Sequence, residues 1–255
     1  VSPPGLDDQH EQLVSPEGTV AVQVICSEVE VARGLSNRLC AAVAPDLAAV
    51  SAGTHLRSLK WAVQYFGRKD SDNTAPFDAR LVKRTDETTA RAIIEGMANF
   101  ITTANLPSVD DMLRCGRENS FTSHVILLMI SAWMRLRDKQ PVPADAEAAV
   151  IAGAIVNAGI CVRVPDATAV FADWFAERLT NPQSPARTLL AEAWRDAVDR
   201  GETSLPRFHD LAKREHCASA LSSMIPVVFG ASRPPTSEVA LAVIRHNLAH
   251  DREAL

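Results

Sequence analysis

The chain predicts a mainly α protein: a helical, bundle-like domain with a short N-terminal strand segment and an extended N-terminal arm. Three observations carry that expectation. Of 255 residues, 39 are alanine, which favours helix at no side-chain entropy cost. Apolar residues recur at helical spacing through most of the chain, as at Ile93, Ile94, Met97 and Ile101. The clearest period-two alternation is Val20, Val22, Val24 and Cys26.

The elements follow in order. Residues 1–18 hold three prolines, two glycines and four acids, the composition of an arm rather than a core segment. Residues 19–255 read as a single mostly helical domain, with a soft boundary near 139–143. The strand at 19–26 needs a partner, for which 162–164, 225–229 or another subunit are candidates. Helices are expected at 35–52 and 54–66, a polar loop at 67–77 and a helix within 85–103. Ser108 and Asp111 have capping-box spacing and open a short helix. An apolar helix at 121–139 ends in Arg135, Arg137 and Lys139, as the helix macrodipole prefers, and Pro141 and Pro143 punctuate it. A small-residue helix follows at 145–158, where Ala149 and Gly153 suit close backbone contact. Asp166 caps a helix through Leu179. Ser184-Pro185 starts another, reaching Arg200. The last two are expected at 205–224 and from Ser237 onward.

Composition bounds the function. There are 21 arginines against 5 lysines. Arginine's planar fork grips phosphate and carboxylate at two points, which lysine cannot do. The net charge of −5 argues against a generalised nucleic-acid binder but leaves room for a local basic groove. A single tyrosine and 5% aromatics weigh against recognition by stacked bases on an aromatic platform. The five cysteines have no metal-knuckle spacing. Their odd number, with no apolar run at Val1–Gly5 to suggest a leader, predicts reduced thiols and an intracellular, cytoplasmic setting. The most apolar run, Val125–Trp133, is about half the ~20 residues a membrane span needs, so no membrane partner is expected.

Catalytic spacing is sparse. The chain has no G-x-S-x-G elbow, no phosphate loop and no dinucleotide turn, so no cofactor is expected. His216 and Cys217 are adjacent and point apart on a helix. His246, His250 and Glu253 share a helix face suited to zinc but lack a fourth ligand, so no metal is expected. Arg245 and His250, within Ile244-Arg245-His246-Asn247-Leu248-Ala249-His250, resemble the motif of the HEPN family of helical ribonucleases. That resemblance implies a dimeric site in which Arg245 steadies a phosphate's charge and His250 moves a proton.

Basic residues gather in four groups: Arg80, Lys83, Arg84 and Arg91; Arg114 and Arg117; Arg135, Arg137 and Lys139; and Arg207, Lys213 and Arg214. Converged by the fold, they would form a groove that contacts backbone phosphates without reading sequence. Otherwise each caps a helix or pairs with a nearby acid such as Asp86 or Glu215.

The stretch Val170-Phe171-Ala172-Asp173-Trp174-Phe175, followed by Asn181-Pro182 and Ser184-Pro185-Ala186-Arg187, resembles a segment of the coat proteins of flexible filamentous RNA viruses. The resemblance implies a buried Asp173 paired with an upstream Arg135 or Arg137 and bracing an RNA groove. The alternative is a helix that buries Phe171, Trp174 and Phe175. In its alanine, proline and serine content the chain is also similar to RNA-associated proteins of capsidless fungal RNA viruses. The expected function is that of a non-enzymatic, self-associating, coat- or nucleoprotein-like protein. It would contact RNA phosphates through Arg80, Lys83, Arg84, Arg91, Arg135, Arg137 and Lys139. A HEPN-like dimeric ribonuclease using Arg245 and His250, and a helical scaffold protein, are the alternatives.

Overall fold

The computed structural model describes residues 46–66, 81, 85–159 and 166–250. The expected arm, the strand at 19–26, the loop at 67–77, residues 162–164 and the side chains of Arg80, Lys83, Arg84 and Glu253 lie outside them. The described residues form eleven α-helices and two 3-10 turns, with no strand among them. The protein is mainly α. The chain divides into two units, one ending at Thr103 and one beginning at Ala104.

The first unit contains α1 (Leu47–Ser51), α2 (Leu56–Phe66), α3 (Glu87–Asn99) and a 3-10 turn at Phe100–Thr102. Aspartates set the starts of α1 and α3. Asp46 accepts from the Ala49 amide at 3.1 Å, and Asp86 accepts from the Thr89 amide at 2.9 Å and from the Thr89 hydroxyl. Leu59, Ile93, Met97 and Phe100 fill its core. At Gly96 the backbones of α1 and α3 touch: a Cβ there would lie 1.9 Å from the Val50 carbonyl oxygen.

The second unit contains α4 (Val109–Arg117), α5 (Ser123–Arg137), α6 (Ala144–Ile155), α7 (Ala167–Thr180), α8 (Ala186–Asp199), α9 (Phe208–Leu211), α10 (Ala218–Phe229) and α11 (Ser237–His250), with a 3-10 turn at Glu215–Cys217. The Ser108 capping box forms as expected, with the hydroxyl accepting from the Asp111 amide at 3.1 Å. Its hydrogen bonds to Asp111, that from the Ser108 side chain foremost, hold the carboxyl below the usual aspartate range. Every residue from Leu127 to Met134 is buried, so α5 is apolar all round and runs through the core. The helix α6 packs against α4, α5, α7 and α8. The stretch 139–143 connects α5 and α6 within this unit. Gly153 is met by the side chains of Met112 and Met129, each 2.5 Å from where a Cβ would sit, rather than by a neighbouring backbone.

Three local expectations need correction. The span 205–224 is not one helix. Arg207 holds left-handed backbone at φ 59°, α9 lasts four residues, and Arg214 is extended before the 3-10 turn. Residues 225–229 are not strand but the last turns of α10, which carries Pro226 inside it. Asp166 stands at the start of α7 without a side-chain capping bond.

On α11 the buried residues are Val239, Val243 and His246, while Leu241, Ile244 and Leu248 are exposed. Among the described residues no helix is long and apolar enough to cross a membrane.

Candidate functional site

Arg135 and Arg137 stand in the last turn of α5 and Lys139 in the turn that follows, where α5 leaves the core. The buried turns of α5 fix the spot, and its last turn emerges carrying the two arginines. Arg135 donates from Nε to the Pro141 carbonyl at 3.0 Å, which ties down the following turn. Arg137 lies over the Trp133 ring, 4.9 Å from its centroid, and donates from Nε to Asp138 at 2.9 Å. Lys139 is exposed, with left-handed backbone at φ 56°. Arg91 belongs to the first unit and pairs with Glu87 at 3.3 Å, both well exposed.

Arg114, Arg117 and Arg214 each meet a different acid. Arg114 pairs with Asp111 at 2.6 Å, and Arg117 with Asp196 at 3.5 Å. Asp173 is not a buried brace to Arg135 or Arg137. It is 67% exposed and pairs with Arg214, from the turn after α9, at 2.7 Å. The aromatic residues around it, Phe171, Trp174 and Phe175, are core, as the alternative reading had it. Asp86 caps α3.

Two of the cavities in the second unit hold candidate residues. The larger, about 580 Å³, lies among α4, α6, α8 and the turn before α9. Arg207 lines it with a side chain only 8% exposed. Its Nη1 donates to the Asn157 side-chain oxygen at 3.2 Å and lies 3.4 Å from Asp210, while its buried Nε has no partner. Burial lowers the Arg207 pKa from the ordinary arginine value, Asp210 opposes that, and Arg214 adds to it. On the same wall, Arg200 bonds Asp196 and Glu202. Its own burial works against the charge, and those two carboxylates outweigh it and raise the pKa.

The smaller cavity, about 400 Å³, lies between α9 and α11 and is lined by Arg245, His246, His250 and His209, with Phe208 as an apolar wall. The structure therefore places Arg245 and His250 on one cavity. His246, only 7% exposed, stands between them in sequence. Its ring is 4.5 Å from that of His250 and 5.6 Å from that of Phe208, and its buried Nε2 has no partner. Burial, then the nearby His250, lower its pKa below the ordinary histidine value, and a hydrogen bond with the Ala218 backbone opposes them. Among the described residues no cluster of three His, Cys, Asp or Glu is arranged to hold a metal ion. Cys217, beside His216, is buried, and burial pushes its thiol pKa up, away from the reactive thiolate.

The Arg207 cavity was not readable from spacing. Arg207 and Asn157 are 50 residues apart, and although asparagine favours left-handed backbone, arginine does not signal it. His246 was readable only as a member of a helix face. Comparison with known proteins gives no matching family, no matching curated protein and no matching solved structure.

Proposed function

We propose that the protein is a non-enzymatic, self-associating RNA-binding protein of the nucleoprotein type, gripping backbone phosphates without reading sequence. The observation that supports this most is the basic tip of α5. There Arg135, Arg137 and Lys139 emerge within five residues from a helix anchored in the core. Arg137 is steadied on Trp133. Its pairing with the half-exposed Asp138 is a surface ion pair worth about 0–1 kcal/mol, which a phosphate can replace. The test is an electrophoretic mobility series with unrelated RNA sequences across salt, with light scattering on the same samples. Binding should weaken steeply with salt, multimers should form, and Arg137→Ala with Lys139→Ala should reduce affinity and flatten the slope by about 0.7 per lost single-strand contact. No binding at low salt ends this reading.

A second reading, a ribonuclease of dimeric HEPN type, is favoured by one observation: Arg245 and His250 line the same cavity, with His246 beside them. Cleavage of RNA that is lost in Arg245→Ala and His250→Ala, both still folded, would support it. Cleavage unchanged in both variants would dismiss it.

A further inference from the structure

We infer that the cavity beside Arg207 binds a small zwitterion of the amino-acid or dipeptide class, its carboxylate on Arg207 and its ammonium toward Glu192. The argument begins with what Arg207 lacks. Its side chain is more than nine-tenths buried, yet Nε has no partner, and the carboxylate it pairs with, Asp210, stands 3.4 Å from Nη1 and is itself 55% exposed. A buried cation with an unfilled donor is costly unless an anion completes it. A planar carboxylate suits the fork of a guanidinium. The protein also holds this side chain in place at a cost. Arg207 and its partner Asn157 both adopt left-handed backbone, a strain that concentrates where a side chain must be aimed.

The rest of the cavity decides the sign of the ligand's other end. Arg117 and Arg200 share Asp196, and Arg200 also holds Glu202, so that wall is neutral. Arg207 and Asp210 balance each other. Glu192, which also lines the cavity, pairs with no cation among the described residues. The cavity thus carries one surplus negative charge, which disfavours a polyanion. A ligand with one carboxylate and one ammonium fills the donors of Arg207 and neutralises Glu192 together. The volume, about 580 Å³, falls in the range of small-molecule sites and exceeds a single amino acid.

The test is titration calorimetry of the full chain with leucylalanine, its N-acetyl form and its C-terminal amide. Leucylalanine should bind saturably, and either blocked form should bind at least about tenfold more weakly, about 1.4 kcal/mol. Arg207→Lys, which keeps charge but loses the fork, and Glu192→Gln, on the exposed face of α8, should each weaken leucylalanine to a similar degree. Glu192→Gln and the blocked peptides carry the test should Arg207→Lys fail to fold. Absence of saturable binding at millimolar leucylalanine overturns the inference. So does equal binding of the three peptides, or unchanged affinity in Glu192→Gln.

Discussion

Arg207 donates from Nη1 to the side-chain oxygen of Asn157 over 3.2 Å, and both residues hold left-handed backbone, at φ 59° and 57°. The bond joins the turn after α6 to the start of α9, 50 residues on. Each left-handed position costs an ordinary side chain about 1–2 kcal/mol, and the bond returns part of that. Asn157→Ala, which loses the bond and adds strain that asparagine largely avoids, should therefore lower stability by about 2 kcal/mol. Asn157→Gly, which loses the bond without adding strain, should cost less. Urea denaturation of the two variants measures the difference. A glycine variant less stable than the alanine variant would contradict the strain.

The contact at Gly96 leaves no room for a methyl group. In Gly96→Ala the added carbon would meet backbone, the Val50 carbonyl, and not a side chain that can swing away. Overpacking costs typically about 1–3 kcal/mol, and more when the neighbour cannot yield, so a loss of about 3 kcal/mol is expected. Gly153→Ala adds the same methyl group against the flexible ends of Met112 and Met129 and should cost less. Thermal melts of the two variants give the comparison.

His246 couples stability to pH. Its folded pKa lies below the unfolded value, chiefly through burial. Between the two values the unfolded chain takes up a proton that the folded chain refuses. This contribution is therefore full above about pH 6.5, falls as pH drops, and levels off below the folded pKa. His246→Phe removes the titration and keeps a ring against Phe208. Its stability should fall less than that of the parent between pH 7 and pH 5. Parallel denaturation curves across that range would show that His246 does not carry the effect.

Lys139 separates stability from binding. The residue is exposed at φ 56°, where glycine sits without strain. Lys139→Gly should raise stability by about 0.5–1 kcal/mol, since strain relief of about 1–2 kcal/mol exceeds glycine's extra unfolded-state entropy. On the proposed RNA-binding function, the same change should weaken RNA binding, because it removes one charge from the tip of α5. A melt and a mobility series on one preparation test both halves.

Much of the fold was legible because its signals are local. The expected ends of the helices at 85–103, 121–139 and 145–158 lie within a few residues of α3 with its 3-10 turn, α5 and α6, since capping groups, prolines and helical spacing act within a turn or two. The region after residue 205 was misread because its interruption is tertiary. Trp194 donates from Nε1 to the Pro206 carbonyl at 2.9 Å, and Arg207 turns left-handed to reach Asn157. No periodicity carries that information. The run Ile225 to Phe229 is rich in β-branched residues, yet burial of Ile225 and Val228 keeps it helical. The candidate site divides in the same way. Arg135, Arg137 and Lys139 lie close in sequence and share one helix end, so they were visible. The Arg207 cavity draws its walls from α4, α6, α8 and a turn, so it was not.

Because α5 is buried on every side from Leu127 to Met134, its outer end behaves as a post set in the floor of the second unit. An arginine mounted on such a post, with its guanidinium already over the Trp133 ring, has surrendered much of its freedom during folding. Were the proposed RNA contact made here, a phosphate would lose little further entropy in holding it still, unlike one gripped by cations on a loose tail.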